Sequence, residues 1–266
     1  MSDSNILMKL DDNKKIETAI YSIIGHREYQ QDFAGIIKEK DAALAVICDG
    51  MGGLSGGERA SREAVHLLLD DYQEKQLAAY QTEFLCKEAE RMDMAVHQLK
   101  TETGELLNAG STTVTVIVNK GKLHWMSVGD SRIYVLRGDS MAQVTRDHNY
   151  RRELEDALAR GEISLERFQV ESATKRAEAL TSYLGMGGLK WIEHNGKPFD
   201  LEDGDIILLC SDGLYKSLDE HQIQAMILDN EVSMQIAAKR LVRMALKMAV
   251  RSQDNTTVIL LRYHNI

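Results

Sequence analysis

The sequence predicts an α+β fold in which stacked β-sheets form the centre and pairs of helices lie outside. In residues 113–118, three valines alternate with other side chains, which is the period of a β-strand. By contrast, residues 58–71 and 77–100 carry apolar side chains at helical spacing. Strands, two helices, a run of strands, two more helices and a last strand follow one another, and this order favours sheets covered by helix pairs.

The predicted elements are simple runs in the chain. Strands are expected at residues 18–24, 42–48, 190–194, 205–210 and 256–262, with a meander of antiparallel strands from residue 111 to about 145. Helices are expected at residues 58–71, 77–100 and 219–228, and a longer helix carries Ala237, Leu241, Met244, Ala245 and Met248 on one face.

One stretch departs from this regular pattern. Residues 148–178 are charged and weakly periodic, with Gly161 breaking them, so we expect short helices in an excursion from the sheet, which we call the flap. Residues 1–17 are predicted to form a short polar segment. The remaining residues, 18–266, are expected to form one domain, because a chain of 266 residues can bury a full-sized core.

The composition argues against binding to nucleic acid or to membranes. With a formal net charge of -9, the chain is poorly suited to nucleic acid or to an anionic membrane, because both require clustered Lys and Arg. A phosphorylated substrate stays compatible, since metal ions held by an acidic site can bind a phosphate. No apolar run is long enough for a signal peptide or a membrane span, so we expect a cytoplasmic protein, and a monomer.

The cysteines and histidines do not predict a metal cage. Cys48, Cys86 and Cys210 are too few and too scattered for a disulfide framework or a zinc site, so we interpret them as buried apolar thiols. A redox role for Cys48 or Cys210 stays open as the lesser alternative. The eight histidines include no His-x-x-x-His pair, which disfavours a zinc hydrolase.

Three aspartates lie beside predicted strands. Asp49 and Asp212 close two apolar runs, and Asp254 stands just before a third. A carboxylate at the mouth of a buried strand is costly unless a cation or strong donors satisfy it. Because several converging carboxylates repel one another, a divalent ion is their natural partner. Ligands that are all oxygen favour magnesium, manganese or calcium over zinc.

The Asp-Gly pairs also have a simpler interpretation. Each one alone is typical of a turn, and the glycine-rich run after Asp49 could be a flexible loop. The joint occurrence of three such sites weakens this alternative. A backbone carbonyl can also bind a hard metal where a missing side chain lets the chain come close. The run lacks the Gly-Lys-Ser/Thr ending of a nucleotide phosphate loop.

Six short motifs stand in order along the chain. They are residues 27–32, Asp49-Gly50-Met51-Gly52-Gly53, Gly110-Ser111-Thr112-Thr113, Val128-Gly129-Asp130-Ser131-Arg132, Leu209-Cys210-Ser211-Asp212-Gly213-Leu214 and Asp254-Asn255-Thr256-Thr257. Together they resemble the ordered motifs of the metal-dependent, type 2C (PPM) protein serine/threonine phosphatases of bacterial type. The resemblance covers residues 18–262.

The resemblance implies a β-sandwich of two antiparallel sheets, flanked by helix pairs, with a two-metal site at one end. Asp49 would bridge two manganese or magnesium ions. Asp212 and Asp254 would bind one of these ions, and the carbonyl of Gly50 would bind the other. A hydroxide bridging the two ions would then attack phosphorus in line, without a phosphoenzyme.

Three further residues receive roles from the same resemblance. Asp32 would hold metal-bound waters, and Asp130 would share a third, weaker ion with Asp212. Arg27 would grip the substrate phosphate, for which a guanidinium is suited by its paired donors. Met51 stands where animal members carry a histidine proposed as general acid, so a metal-bound water would protonate the leaving group.

Three functions remain open at this point. The complete aspartate set favours an active phosphatase that hydrolyses phosphoserine and phosphothreonine in proteins, opposing a serine/threonine kinase. A catalytically silent member of the same fold would instead recognise a phosphorylated partner, although such proteins usually lose metal ligands. A partner-switching phosphatase would use the same chemistry on one small phosphoprotein.

Overall fold

The computed structural model describes residues 5–11, 14–52, 56–74, 81–229, 232–249 and 252–265. Its strands are β1 (Ile6–Leu10), β2 (Ile16–Ile23), β3 (Asp32–Lys38), β4 (Ala42–Gly52), β5 (Ala109–Ser111), β6 (Thr113–Asn119), β7 (Lys122–Val128), β8 (Arg132–Arg137), β9 (Ser140–Gln143), β10 (Glu193–His194), β11 (Phe199–Asp200), β12 (Ile206–Cys210) and β13 (Thr256–Tyr263). Its helices are α1 (Gly56–Glu74), α2 (Gln81–His97), α3 (Tyr150–Ala159), α4 (Leu165–Ser172), α5 (Asp212–Tyr215), α6 (Glu220–Ile227) and α7 (Met234–Met248).

Two β-sheets stack in the centre, and helices cover both outer faces. In the first sheet the strands lie in the order β1, β3, β4, β6, β7, β10, with β5 beside β4 and β11 beside β7. In the second sheet the order is β2, β13, β12, β8, β9. This arrangement confirms the predicted α+β sandwich.

Three apolar clusters separate the four layers. The cluster between the sheets contains Ile47, Val116, Leu209 and Ile259, all fully buried. A second cluster joins the first sheet to α1 and α2, and a third joins the second sheet to α5, α6 and α7. Each sheet therefore buries both of its faces, which explains why its strands are apolar on both sides.

The sequence prediction missed the strands at one edge of the first sheet. β1 lies within the segment expected to be polar, and it pairs with β3 in a parallel register, so this sheet is not wholly antiparallel. β3 itself went unpredicted because Gly35 interrupts its apolar run. A Cβ at Gly35 would lie 2.7 Å from a methyl carbon of Leu69 on α1, so the missing side chain lets the helix pack closely.

The predicted meander is wrong in one respect. β6 and β7 form a hairpin in the first sheet, whereas β8 and β9 form a hairpin in the second. The chain crosses between the sheets at residues 129–131, where Gly129 adopts a φ of +103° that suits glycine. This crossing places Asp130 at the end of the sandwich.

The remaining elements lie close to their predicted positions. α1 and α7 are present, and α6 begins after Asp219, whose side chain caps it. α2 begins at Gln81, and residues 77–80 of its predicted range lie outside the described residues. The strand predicted at 190–194 is reduced to β10. The flap contains α3, α4 and a short 3₁₀ turn, Lys175–Glu178. In the described part of the chain, no helix combines the length and apolarity that crossing a membrane requires.

Candidate active site

A polar cleft of about 390 Å³ opens at one end of the sandwich, where strands of both sheets end. Six of the seven predicted site residues line it, and the seventh, Asp32, lies buried beneath it. The six are Arg27, Asp49, Gly50, Asp130, Asp212 and Asp254. The fold therefore brings together residues that are up to 227 positions apart in the chain.

Ser111 and Thr112, which follow Gly110, fix the main chain of Asp49. The N–H of Thr112 donates to the Asp49 carbonyl at 2.8 Å, and the N–H of Asp49 donates to Thr112 Oγ1 at 3.1 Å. Ser111 Oγ donates to the same carbonyl at 3.0 Å. These three bonds hold Asp49 in one orientation, so the Gly110-Ser111-Thr112 motif has a positioning role.

Asp32 lies beneath Asp49 in an almost wholly buried position. Its Oδ2 accepts hydrogen bonds from Ser211 Oγ at 2.8 Å and from Thr257 Oγ1 at 2.7 Å. Its Oδ1 is buried and has no hydrogen-bond partner within the described part of the chain. Burial raises the pKa of Asp32 to about 7, although the two hydroxyls act in the opposite direction.

The pKa of Asp49 is raised as well. Burial, followed by the nearby charges of Asp32, Asp212 and Asp130, raises its pKa well above the ordinary value of 3.8. Repulsion of this kind is what a bound cation would relieve.

Asp130 is held at the sheet crossing through its backbone. The hydroxyl of Tyr215 donates to the Asp130 carbonyl at 3.0 Å, and the guanidinium of Arg132 lies 3.5 Å from the centre of the Tyr215 ring. Arg132 also makes a two-point ion pair with Asp147, at 3.0 and 2.8 Å. Burial and the charge of Asp212 raise the pKa of Asp130 to about 7.

Asp212 begins α5, and the side chain one turn later faces the same way. That side chain is Lys216, whose Nζ lies 2.5 Å from Asp212 Oδ2 and 3.8 Å from Asp130 Oδ2. The other oxygen of Asp212, Oδ1, is buried, and none of the described residues forms a hydrogen bond with it. The two oxygens of this carboxylate therefore have different environments.

Asp254 forms an ion pair with Arg27, whose Nη2 lies 2.6 Å from Asp254 Oδ2. The loop that carries Arg27 is held by the neighbouring Asn255. The Asn255 amide donates to the carbonyls of Ile24 and Tyr29, and its oxygen accepts from the N–H of Gln31 at 2.7 Å. Asn255 thus fixes the position of the predicted phosphate-binding arginine.

Gly50 lies where the chain has no room for a side chain. A Cβ at this position would overlap the carbonyl of Gly57, at the start of α1, and would lie 2.8 Å from the carbonyl oxygen of Gln31. The close packing against Gly57 brings the beginning of α1 to the rim of the cleft. Gly53, the last residue of the same motif, lies outside the described residues.

The oxygen atoms that line the cleft suit a hard divalent cation, although two of its carboxylates form ion pairs with protein side chains. Its candidate ligands are all oxygen, and two carboxylate oxygens, on Asp32 and Asp212, are buried without partners. As the side chains are oriented, the described residues include no group of three or more Asp, Glu, His or Cys that could hold a metal ion. Asp254 faces Arg27, so metal binding there requires this carboxylate to exchange partners. Asp212 faces Lys216 through Oδ2 alone, and its Oδ1 has no partner among the described residues.

The sequence analysis did not identify two charged residues of the cleft. Lys216 could have been found from its position four residues after Asp212, the spacing of an ion pair along a helix. Glu178 comes from the end of the flap, and no local signal places it here. Leu180, just after it, also lines the cleft, so the flap forms part of the wall.

A larger cleft of about 570 Å³ adjoins the first one. The two share Met51, Gly52 and Leu180, and the larger cleft continues past Tyr183 and His97. None of the described residues that line it carries a carboxylate, so the aspartates belong to the smaller cleft.

The cysteines agree largely with their predicted role. Cys48 and Cys210 are fully buried, and burial raises the pKa of each thiol to about 12. Such thiols are not reactive at neutral pH. Cys86 differs from the prediction, because it is only partly buried.

Known proteins that resemble this chain are protein phosphatases. A family model described as "Protein phosphatase 2C" matches residues 21–250. The serine/threonine phosphatase Stp of Listeria welshimeri is 32% identical over 238 residues, which cover 88% of this chain and 90% of the relative.

Solved structures show the same fold. The serine/threonine phosphatase of S. agalactiae superposes with a TM-score of 0.80 and 22% identity, covering 94% of this chain and 100% of that one. The catalytic domain of the phosphatase PstP, solved in complex with two manganese ions, superposes with a TM-score of 0.72 and 23% identity, covering 94% of this chain and 99% of that one.

Proposed function

The chain belongs to the protein phosphatase 2C family and is a protein serine/threonine phosphatase, and we propose that its aspartate cluster works with two Mn²⁺ or Mg²⁺ ions. The observation that carries this proposal is the set of four aspartates around one cleft above a fifth, buried one, with two carboxylate oxygens left without partners. The manganese ions in the solved PstP catalytic domain support the choice of metal.

The proposal assigns ligands as the family resemblance implies. Asp49 would contact both ions, Asp212 and Asp254 would contact one, and the Gly50 carbonyl would contact the other. When bound, the two ions would generate a bridging hydroxide from water and neutralise charge on the substrate phosphate. Asp32 would orient the surrounding waters, a role that fits its place beneath Asp49 with one oxygen unpartnered.

Arg27 is the proposed phosphate ligand from the chain itself. Its side chain is 56% exposed, so it can reach a substrate that enters the cleft. Its guanidinium would leave Asp254 and donate a pair of hydrogen bonds to phosphate oxygens. The same exchange would make Asp254 available to a metal ion, so substrate binding and metal binding favour one another at this residue.

The proposed substrates are phosphoserine and phosphothreonine residues of proteins that a serine/threonine kinase has modified. The relative from Listeria welshimeri is named a serine/threonine phosphatase, which supports this substrate class. We also propose that the enzyme acts as a cytoplasmic monomer, which rests on the sequence pattern alone.

The test is hydrolysis of a phosphothreonine peptide and of an aryl phosphate by purified protein, with manganese and after chelation. We expect activity only with the metal. Asp212→Asn should lower kcat/KM by at least about a hundredfold, because it removes a metal ligand.

The matched control is Asp70→Asn, which makes the same chemical change at an exposed position of α1. This variant should retain wild-type activity. Full activity after chelation, or in Asp212→Asn, would contradict the proposal.

A further inference from the structure

A protein cation already occupies one corner of the aspartate cluster. The Lys216 ammonium lies 2.5 Å from Asp212 Oδ2 and 3.8 Å from Asp130 Oδ2, so it sits against both carboxylates. Asp130 and Asp212 are 9% and 15% exposed in their side chains, so the carboxylates are largely desolvated, whereas the Lys216 side chain is 43% exposed and reaches them from the surface.

Lys216 shares its cleft with carboxylates from three parts of the chain, Asp212, Asp130 and the flap residue Glu178. A lysine side chain is ordinarily charged at neutral pH. One protein cation faces three carboxylates from α5, the sheet crossing and the flap.

The two oxygens of Asp212 separate this corner from the rest of the cluster. Lys216 contacts Oδ2, whereas Oδ1 is buried and has no partner among the residues that the structure describes. A divalent ion that binds Oδ1 leaves the Lys216 contact in place. An ion placed between Asp130 and Asp212 would have to displace the ammonium, because two cations at that distance repel strongly in a partly buried site.

We propose that Lys216 is the resident cation of the Asp130–Asp212 corner, and that it closes this corner to a divalent ion and limits the enzyme to two bound metals. The inference rests on the proposed two-metal function and adds to it a positioning residue supplied by the chain. Lys216 also fixes Asp212 so that only one of its oxygens faces the core metal position.

The test counts the manganese ions bound per chain by isothermal titration, with no substrate present. Wild type should bind two ions. Lys216→Gln should bind three, the third at least about tenfold more tightly than any third ion in wild type, because removing the ammonium uncovers two carboxylates. Lys216→Arg, which retains the charge, should bind two.

A matched control removes a lysine from another ion pair. Lys122 lies 2.6 Å from Asp200 in a pair that is 51% and 80% exposed, far from the cleft. Lys122→Gln should bind two ions, as wild type does. Its metal-free thermal midpoint should change little, whereas that of Lys216→Gln should fall and recover when manganese is added.

A second variant keeps the test decisive if Lys216→Gln does not fold. Asp130→Asn should leave the wild-type count at two, because no ion is bound at that corner. If wild type bound three ions and Asp130→Asn bound two, the inference would be overturned. A count of two in folded Lys216→Gln would overturn it as well.

The two proposals fail in distinguishable ways. If neither wild type nor any variant binds manganese, the metal-dependent function is wrong and this inference falls with it. If wild type binds manganese and hydrolyses phosphopeptide but the count is the same with and without Lys216, only the inference is wrong.

Discussion

Asp32 and Asp49 lie directly opposite each other on the neighbouring antiparallel strands β3 and β4. Cross-strand partners place their side chains on the same face, and like charges in such a pair are destabilising. Asp32 is only 1% exposed, so water does little to screen this repulsion. The pair is stable only when it is protonated or accompanied by a cation, and this requirement underlies the first two predictions.

The metal-free protein should lose stability as the pH rises. Asp32 and Asp130 have folded-state pKa values raised to about 7 from an ordinary 3.8, so the folded chain binds more protons than the unfolded chain between these limits. The free energy of unfolding should therefore fall from about pH 4 to about pH 7, by on the order of a few kcal/mol.

The measurement is the thermal midpoint in chelator at pH 5 and pH 8. We expect the lower midpoint at pH 8, and we expect manganese to raise it there because the ion binds only the folded state. A metal-free midpoint that is higher at pH 8 than at pH 5 would contradict the assignment of these carboxyl pKa values.

Asp32→Asn should stabilise the metal-free protein and weaken its activity or its manganese binding. The substitution removes the buried charge, so the metal-free midpoint at pH 8 should rise by a few degrees, since about 1 kcal/mol corresponds to roughly 2–4 °C in a protein of this size. Activity or manganese affinity should fall about 10- to 100-fold, as expected for a residue that supports ligands. Asp70→Asn is the control for both readings, and a fall in stability without a loss of activity would refute the prediction.

Gly50→Ala should disrupt the site and the fold around it. The added Cβ would overlap the Gly57 carbonyl, and both contacts are with backbone that cannot rotate away. We expect a loss of several kcal/mol in the free energy of unfolding, measured in denaturant. Gly196→Ala is the matched control, because no atom lies within 4 Å of a Cβ there, and it should be nearly neutral. Equal effects of the two changes would count against the close packing of β4 on α1.

His148→Ala should loosen the corner that carries Asp130. His148 is fully buried. Its backbone N–H donates to the Gly129 carbonyl at 2.8 Å, and its ring Nδ1 accepts from the Gly129 backbone N–H at 3.2 Å. Burial lowers the pKa of His148 to about 3, so the ring is neutral and Nδ1 can accept. Alanine would leave the Gly129 N–H unpaired, at a cost of about 1–3 kcal/mol in addition to the cavity.

His148→Asn offers an acceptor oxygen in place of Nδ1 and should recover part of this loss. Urea unfolding of the three proteins is the measurement. If the alanine and asparagine variants are equally destabilised, the hydrogen bond to Gly129 does not contribute as we describe.

The sequence was sufficient to predict most of the site. Asp49 and Asp212 follow apolar runs and Asp254 precedes one, and the structure places these three positions at the same end of the two stacked sheets. The strand pattern singled out these three aspartates, and the six ordered motifs placed them in one site and added Asp32, Asp130 and Arg27. The roles of these residues as metal and phosphate ligands stay predictions.

The rest depended on contacts that carry no local signal. The turn at 129–131 resembles a hairpin in sequence, so its crossing between two sheets could not be recognised. β3 was not predicted because Gly35 interrupts its apolar run. A glycine is needed at this position because α1 packs closely against the strand. The ion pair between Arg27 and Asp254 joins residues 227 positions apart and depends on the complete fold.

The most direct test of the metal centre is a crystal of the protein grown with manganese and measured at a wavelength where manganese scatters anomalously. The account predicts two anomalous peaks in the cleft. One should lie within coordination distance of Asp49, Asp212 and Asp254, and the other within that distance of Asp49 and the Gly50 carbonyl, with Lys216 still between Asp130 and Asp212. A cleft with no peak beside Asp49 would contradict the central claim.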